Sequence, residues 1–331
     1  MKILLPLTVG IASLVAAQSA TAQSSQLNLK TDSITVSGLS SGGYMANQFH
    51  LAYSDWVKGA GILAAGPYYC AQGDIGTALE QCVDNVEPAL DVAALTAQLK
   101  RWEKENKIAP LSNLASDKVW LFHGTRDTRV SAAVSDALTQ QYRSLIKGEQ
   151  IKYVDDKPVA HLFPTLANGN VCMTSESPYI GRCDYDAAGA MLNFLLPELN
   201  DRTDTPTGSV ITFDQRALAG SDANTMAEKG YAYVPKTCKE GEPCDVHVSF
   251  HGCNQYADAV GKAYVEQTGI NNWADTNHLV VVYPQTRKSL FMPLNPQGCW
   301  DWWGYTGDDY ATRDGKQLKA IRNIVLGLSS K

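Results

Sequence analysis

The order of two motifs along the chain constrains the fold more than any other feature. A serine flanked by glycines stands near the N-terminus, in Gly38-Leu39-Ser40-Ser41-Gly42. The loop best suited to supply N–H donors opposite that serine, His251-Gly252-Cys253-Asn254, comes much later. In α/β-hydrolases of the usual order this loop follows an early strand and precedes the nucleophile. The two motifs therefore predict an α/β-hydrolase fold with a mainly parallel, doubly wound sheet and a circularly permuted chain order.

The first residues have the pattern of a secretory signal peptide. Lys2 supplies the charged start, residues 3–17 form a nearly unbroken apolar run, and Ala20-Thr21-Ala22 fits a cleavage site. The apolar run is short for a bilayer span. We expect a signal peptide at residues 1–22 and a secreted or periplasmic protein with no membrane segment after cleavage.

Length and charge limit the domain organisation and the partners. The chain has 331 residues and a formal net charge of −6, and this mild acidity argues against nucleic acid and anionic membranes as partners. Residues 200–208 are polar and helix-poor, and form the one convincing linker. Because the serine motif precedes this linker and the donor loop follows it, we predict a single catalytic domain at residues 23–331. The linker would lie near the permutation junction.

All eight cysteines follow the predicted cleavage site. An even number of cysteines behind a signal peptide predicts disulfide bonds. Proximity suggests the pairs Cys70–Cys82, Cys172–Cys183 and Cys238–Cys244, which leaves Cys253 for Cys299, although spacing alone does not fix the pairing. No Cys-x-x-Cys occurs and no two histidines have helical ligand spacing on a plausible helix, so we predict no metal site and no cofactor.

The serine motif is set between a β-rich run and a helical pattern. Residues 33–37 favour a strand and residues 44–52 a helix, which is the strand-to-turn-to-helix context of a nucleophilic serine. Ser40 is the candidate nucleophile, because Ser41 has no glycine two residues before it. Further strands are predicted at 57–65, 118–122, 150–153, 210–213, 231–234, 245–250 and 279–283, and further helices at 91–106, 131–145, 187–196 and 314–328.

A serine nucleophile needs a general base, and His161 is the best candidate. It lies in a loop after the strand predicted at 150–153, and in this fold the base comes last of the triad. His50 lies in the helix after the serine and should point away from it. His247 lies inside a strand run, where a satisfied core histidine is the expected role, and His278 falls at the opposite end of the sheet.

The acid should fall between the serine and His161 in the sequence. Asp127 follows the strand predicted at 118–122, beyond the carboxyl end where functional loops of open α/β sheets gather. It would orient the His161 ring and stabilise the imidazolium form. Asp155 and Asp156 are rivals, but they lie too near His161 in sequence to reach it comfortably. An ordinary turn aspartate remains the alternative for Asp127.

The developing oxyanion would need preorganised N–H donors. We predict the backbone N–H groups of Ser41 and Cys253, with a purely structural disulfide as the alternative for the cysteine. The run Cys299-Trp300-Asp301-Trp302-Trp303-Gly304-Tyr305 is unusually aromatic for a loop. We predict Trp302 as a substrate contact, with core filling as the alternative.

The chain resembles a known family through a set of motifs spread over nearly all of the predicted mature chain. They are Gly38-Leu39-Ser40-Ser41-Gly42-Gly43, Gly66-Pro67-Tyr68-Tyr69-Cys70, His123-Gly124 with Asp127, Ala160-His161 with Pro164, Phe250-His251-Gly252-Cys253-Asn254-Gln255, Tyr283-Pro284-Gln285 and Cys299-Trp300-Asp301-Trp302-Trp303. Together they resemble secreted poly(3-hydroxybutyrate) depolymerases of the circularly permuted, single-domain type known best among fungal enzymes. The resemblance implies the same triad, oxyanion donors and tryptophan as above. Unlike many bacterial members, this sequence has no linker followed by a separate polymer-binding domain, so we expect any adsorption to solid polymer to use the surface of the catalytic domain itself.

These inferences converge on a monomeric serine esterase that hydrolyses poly(3-hydroxybutyrate) or its oligomers through an acyl-enzyme. The partner would be a polyester or oligoester substrate. A feruloyl or acetylxylan esterase is an alternative, because unpermuted relatives of that class share the His-Gly-Cys and Cys-Trp-x-Trp features. A non-catalytic polymer-binding protein that keeps the scaffold is a second alternative.

Overall fold

The computed structural model describes residues 26–86 and 88–329, so the predicted signal peptide lies outside the described residues. The strands are β1 (Ile34–Leu39), β2 (Val57–Leu63), β3 (Lys118–Phe122), β4 (Ile151–Val154), β5 (Phe163–Thr165), β6 (Asn170–Val171), β7 (Ile180–Arg182), β8 (Ser209–Asp214), β9 (Lys229–Val234), β10 (Asp245–Phe250) and β11 (Leu279–Tyr283). The helices are α1 (Ser41–Ala52), α2 (Ile75–Glu80), α3 (Val92–Lys104), α4 (Ala132–Arg143), α5 (Ala187–Leu195), α6 (Gln215–Ala219), α7 (Lys236–Lys239), α8 (Ala257–Val260), α9 (Ala263–Gln267), α10 (Ile270–Ala274) and α11 (Lys316–Leu328).

Among the described residues, the main sheet has eight strands in the order β4-β3-β2-β1-β10-β11-β9-β8. The pairings from β4 through to β11 are parallel, whereas β9 runs antiparallel to both β11 and β8. The prediction of an α/β fold with a mainly parallel sheet is confirmed. The antiparallel edge was not predicted. It arises because β8 and β9 are joined through the short α6 and lie side by side, which needs no crossover.

Strand β1 lies near the middle of the sheet, and its two neighbouring strands come from opposite sides of the predicted linker in the sequence. On β1, Gly38 is in register with Ile62 of β2 on one side and with Phe250 of β10 on the other. All six residues of β1 are buried, as expected for a parallel strand covered on both faces. The carboxyl ends of β1, β3 and β10 therefore meet at one edge, which brings together the loops that carry the predicted site.

Helices cover both faces of this sheet. Along β11, Val280 points into one apolar cluster with Phe49 of α1 and Ile321 of α11. Its neighbour Val281 points into a second cluster with Met191 of α5. This alternation follows from the two-residue period of a strand, and it gives the doubly wound arrangement.

The two ends of the described chain are adjacent. Leu27 and Ser329 form a parallel bridge, and the Leu27 N–H donates to the carbonyl oxygen of Leu328 at 2.9 Å. Leu29 forms a second bridge with Cys244 beside β10. The molecule thus has the adjacent ends that a circularly permuted order requires.

Two local features differ from the sequence predictions. Helix α1 begins at Ser41, directly after the candidate nucleophile, rather than near Tyr44. A small sheet of β5, β7 and β6 follows His161 and was not predicted, because its strands have only two or three residues and carry no periodic pattern. Within the described part of the chain, every helix is too short or too polar to cross a membrane.

Candidate active site

Ser40 occupies a strained turn between β1 and α1. Its φ is 57° and its ψ is −121°, a conformation that is uncommon for a residue with a side chain. Its N–H donates to the carbonyl oxygen of Leu63 at 2.9 Å. A Cβ at Gly38 would lie 2.1 Å from the Gly42 carbonyl oxygen, and one at Gly42 would lie 2.1 Å from the Phe250 carbonyl oxygen. The two glycines are therefore required by close backbone packing on each side of the serine.

The His161 side chain is bonded to the Asp127 side chain. The distance from His161 Nδ1 to Asp127 Oδ2 is 2.7 Å, and Asp127 Oδ1 accepts hydrogen bonds from the N–H groups of Arg129 and Val130 at 2.8 and 3.0 Å. The Asp127 side chain is 1% exposed and that of His161 is 10% exposed. Since a carboxylate only accepts, Nδ1 carries the proton and Nε2 is free to act as a base.

Two opposing effects set the charge of Asp127. Burial favours the neutral carboxyl, but the hydrogen bond and charge of His161, together with the two backbone N–H donors, outweigh it and lower the pKa. Asp127 is therefore ionised at neutral pH. The rival acids lie elsewhere: Asp155 and Asp156 are both exposed, and Asp156 pairs with Lys157 at 3.1 Å.

Ser40 and His161 line the same cavity, which has a volume of about 980 Å³. Gly252, Cys253 and Trp302 also line it. Asp127 does not line the cavity and contacts His161 from behind. The structure thus brings together residues from five connecting segments that are far apart in sequence.

The predicted oxyanion donors lie beside Ser40. A Cβ on Gly252 would lie 3.6 Å from the Ser40 Cβ and 3.4 Å from the Leu39 carbonyl oxygen, so the loop after β10 passes next to the serine. Ser41 is the first residue of α1, where backbone N–H groups have no partner within the helix and favour negative charge. The Cys253 N–H has no hydrogen-bond acceptor among residues 26–86 and 88–329.

Trp302 forms part of the cavity wall. Its ring stacks on that of Tyr44 with centroids 4.3 Å apart. The loop is fixed from inside by the buried Asp301 carboxylate, which accepts hydrogen bonds from the backbone N–H groups of residues 304–306. The tryptophan therefore presents a rigid apolar surface to the cavity.

The structure contains the three disulfide bonds suggested by proximity in the sequence and the fourth that they left over. They are Cys70–Cys82, Cys172–Cys183, Cys238–Cys244 and Cys253–Cys299. The last ties the loop beside Ser40 to the aromatic loop that carries Trp302. Such bonds are typical of proteins that mature in an oxidising compartment. No group of His, Cys, Asp and Glu residues in the described ranges has the arrangement of a metal site.

A serine–histidine hydrogen bond outside the candidate site lies inside the sheet. His247 Nε2 is 2.7 Å from Ser37 Oγ, and His247 Nδ1 is 2.8 Å from Thr35 Oγ1. Ser37 and His247 are completely buried, and burial lowers the pKa of His247 to about 3. This histidine is a satisfied core residue. Its partners are hydroxyl groups, and it does not line the cavity.

Sequence reasoning missed the apolar side chains at the opening of the cavity. Ile75, Leu79 and Leu294 line it and are about half exposed. Next to Leu294, Phe291 and Met292 are 83% and 88% exposed. The signal was the apolar run at residues 290–294 inside a segment with no helix or strand pattern.

Comparison with curated proteins identifies close relatives. The chain is 41% identical over 310 residues to the poly(3-hydroxybutyrate) depolymerase of Delftia acidovorans, covering 92% of this chain and 61% of that protein. It thus spans less than two thirds of that relative. It is 39% identical over 325 residues to the polyhydroxybutyrate depolymerase of Talaromyces funiculosus, covering 94% of each. No family model matches the chain.

Two solved structures have the same fold. The crystal structure of the PHB depolymerase from Penicillium funiculosum superposes with a TM-score of 0.84 at 38% identity, and the match covers 90% of this chain and 95% of that one. A serine-to-alanine variant of a PHB depolymerase in complex with an R3HB trimer gives the same values. Similarity of this extent in both sequence and structure confirms the resemblance seen in the motifs. The chain belongs to the polyhydroxybutyrate depolymerase family of ester hydrolases.

Proposed function

We propose that this protein is a secreted or periplasmic serine esterase that hydrolyses the ester bonds of poly(3-hydroxybutyrate) or its oligomers. One observation carries the proposal: a serine held at positive φ and an aspartate-bonded histidine face one cavity. The names of the relatives support the choice of substrate, since both are polyhydroxybutyrate depolymerases. The trimer bound by the structural neighbour supports an oligoester in particular.

The triad would act by acyl transfer. Ser40 Oγ attacks the ester carbonyl carbon while His161 Nε2 takes the hydroxyl proton, and Asp127 stabilises the imidazolium that forms. His161 then gives this proton to the leaving hydroxyl group of the shortened chain. Water attacks the acyl-enzyme with the same assistance, which releases the acid and restores Ser40.

The oxyanion of each tetrahedral intermediate would be stabilised by the backbone N–H groups of Ser41 and Cys253. Both groups border Ser40, and each donor of this kind typically contributes a factor of about 10² to 10³ in kcat. The Trp302 ring, held against Tyr44, would contact the methyl-bearing backbone of the polyester. No metal or cofactor takes part in this scheme.

We further propose that residues 23–331 act as one catalytic domain and as a monomer. Direct pairing of β1 with β10 supports the single domain, because neither half holds a complete site. The exposed apolar side chains of residues 290–294 support contact with a polymer surface as well as with soluble oligomers.

The Ser40→Ala variant tests the proposal. Release of 3-hydroxybutyrate and its oligomers from polymer film and from soluble oligoesters should fall by at least about 10³-fold, because the nucleophile is lost. Thermal melting and circular dichroism establish that the variant is folded. Unchanged release would reject Ser40 as the nucleophile. Faster hydrolysis of feruloyl or acetylxylan esters than of 3-hydroxybutyrate oligomers by the unmodified protein would reject the substrate class.

A further inference from the structure

His251 lies directly behind the loop next to Ser40, and the mechanism above gives it no role. Its imidazole is completely buried. Nδ1 lies 2.7 Å from the Gly252 carbonyl oxygen, and Nε2 lies 3.2 Å from the backbone nitrogen of Thr286. The Thr286 hydroxyl lies 3.3 Å from Nε2 as well, but it donates to the Gly298 carbonyl oxygen. Both ring nitrogens are thus occupied by backbone groups.

These two contacts determine the tautomer. A carbonyl oxygen only accepts, so Nδ1 carries the hydrogen, and a backbone N–H only donates, so Nε2 carries none. Burial agrees with this neutral state, because it lowers the pKa of His251 to about 4 even though the bond to Gly252 opposes the shift. The ring therefore donates one hydrogen bond, and that bond goes to the Gly252 carbonyl.

The Gly252 carbonyl belongs to the same peptide group as the Cys253 N–H. The peptide group is planar, and in its trans form the C=O and the N–H point in opposite directions. A hydrogen bond that holds the Gly252 oxygen on the buried side therefore aims the Cys253 N–H away from His251. Ser40, Gly252 and Cys253 line the cavity whereas His251 does not, and the Ser40 Cβ is 3.6 Å from the position of a Gly252 Cβ.

Gly252 is held at its other end as well. Its N–H donates to Gln255 Oε1 at 2.7 Å, and Gln255 Nε2 donates to the carbonyl oxygens of Pro178 and Tyr179 at 2.9 and 3.1 Å. The Cys253 side chain is bonded to Cys299. With both ends of the segment fixed, the rotation of the peptide between them is set by the His251 donor.

We propose that His251 is a positioning residue that aims the Cys253 N–H at the oxyanion. The proposal rests on the proposed function, in which that N–H stabilises the tetrahedral intermediate. Without the Nδ1 donor the peptide can rotate, and the Cys253 N–H loses its alignment. Since loss of a whole oxyanion donor costs about 10² to 10³ in kcat, we expect misalignment to lower kcat by about 10- to 100-fold. KM should stay within about threefold, because the lost interaction acts on the transition state.

Two substitutions separate the donor from the rest of the ring. In His251→Asn the side-chain amide can place an N–H where Nδ1 was, which keeps the bond to Gly252. In His251→Gln the amide reaches the place of Nε2 and leaves the Gly252 oxygen without a donor. Both variants lose the ring and its packing, so a merely structural role predicts equal losses. We expect His251→Asn to retain kcat on p-nitrophenyl butyrate at least about fivefold better than His251→Gln, with rates normalised to titrated active sites.

Affinity for an alkylboronic acid gives a second readout, because its tetrahedral adduct with Ser40 occupies the oxyanion position. His251→Gln should bind it at least about tenfold more weakly, and His251→Asn should stay within about fivefold of the unmodified protein. If His251→Gln does not fold, the asparagine variant alone decides, since a loss above tenfold there overturns the proposal. Equal losses of kcat in the two variants would also overturn it. Full activity of Ser40→Ala, measured in parallel, would instead reject the proposed function.

Discussion

Ser37 and Ser40 are only three positions apart in the chain, and each shares its surroundings with a histidine, but only Ser40 and its histidine line the cavity. Ser37 lies on β1 and contacts His247 of β10 in the interior of the sheet. Ser40 follows the end of the same strand and shares a cavity with His161. The two serines are thus close in sequence, but their surroundings differ.

The two pairs differ in the features that acyl transfer by a serine requires. His161 is bonded to a carboxylate whose pKa is lowered, whereas the ring nitrogens of His247 contact hydroxyl groups. Ser37 is fully buried in extended backbone, but Ser40 is turned out of the strand by its positive φ. A charged third partner and access to substrate therefore separate a catalytic pair from a structural one.

The largest effect should come from removing the charged partner. Asp127→Asn keeps the size of the side chain but removes the charge that holds Nδ1 as the protonated nitrogen of His161. We expect kcat on p-nitrophenyl butyrate to fall by about 10³- to 10⁴-fold at pH 7.5. KM should change much less, because substrate contacts are untouched.

Asp155→Asn is the matched control, since Asp155 is exposed and lies close to His161 in sequence. Its kcat should stay within about twofold of the unmodified protein. A loss of less than tenfold for Asp127→Asn, or a large loss for Asp155→Asn, would show that Asp127 is not the acid of the triad.

The second prediction concerns the pH dependence of folding stability. The pKa values of His247 and His251 are lowered by burial to about 3 and about 4, against about 6.5 in an unfolded chain. Above pH 6.5 both states are neutral and these groups contribute nothing. Below it the unfolded state binds the protons first, so the free energy of unfolding should decrease as the pH falls towards 4. Near pH 5 the unfolded state binds about two more protons than the folded state, so the free energy of unfolding should change by about 2.7 kcal/mol per pH unit.

Urea unfolding at several pH values between 7 and 4.5 measures this slope. His247→Gln removes one of the two titrating groups and should reduce the slope by about half of that amount. A slope that is identical in the variant and the unmodified protein would show that His247 already binds its proton in the folded state.

Local sequence was sufficient to propose the candidate nucleophile and acid, because each belongs to a short pattern. The glycines at 38 and 42 predicted the turn around Ser40, and Asp127 was chosen because it follows a predicted buried strand. The order of motifs also predicted the adjacent ends, which the Leu27–Ser329 bridge provides. These features depend on residues adjacent in sequence or on general rules of chain topology.

Other features depend on contacts between distant segments and could not be predicted. The role of His251 follows from the orientation of one ring between Gly252 and Thr286, which no spacing encodes. The antiparallel pairing of β9 with β11 joins strands from separate parts of the chain, and the composition of neither strand specifies its direction. Rotamers and edge pairings are decided by packing, so a single sequence leaves them open.

The third prediction compares alanine substitutions at Ser37 and Ser40. Ser37→Ala should leave His247 Nε2 without its partner and so lower the free energy of unfolding by about 1–3 kcal/mol. Its kcat/KM, corrected for the folded fraction, should stay within about twofold. Ser40→Ala should show the reverse pattern, with lost activity and nearly unchanged stability. Lost activity in a folded Ser37→Ala protein would give the interior pair a catalytic role.

The smallest effect concerns the exposed apolar side chains near the opening of the cavity. Leu290 and Phe291 are 67% and 83% exposed and adjoin the side chains that line the opening. Burying one such side chain against a polymer is worth about 1.5–3 kcal/mol, and changing both to serine should lower the rate on film by about tenfold or more. Hydrolysis of soluble p-nitrophenyl butyrate should stay within about twofold, since neither residue lines the cavity. Leu326→Gln, on α11, is the control and should change neither rate. Equal losses on film and soluble ester would mean that these residues shape the cavity, whereas a loss on film alone makes them a contact for solid polymer.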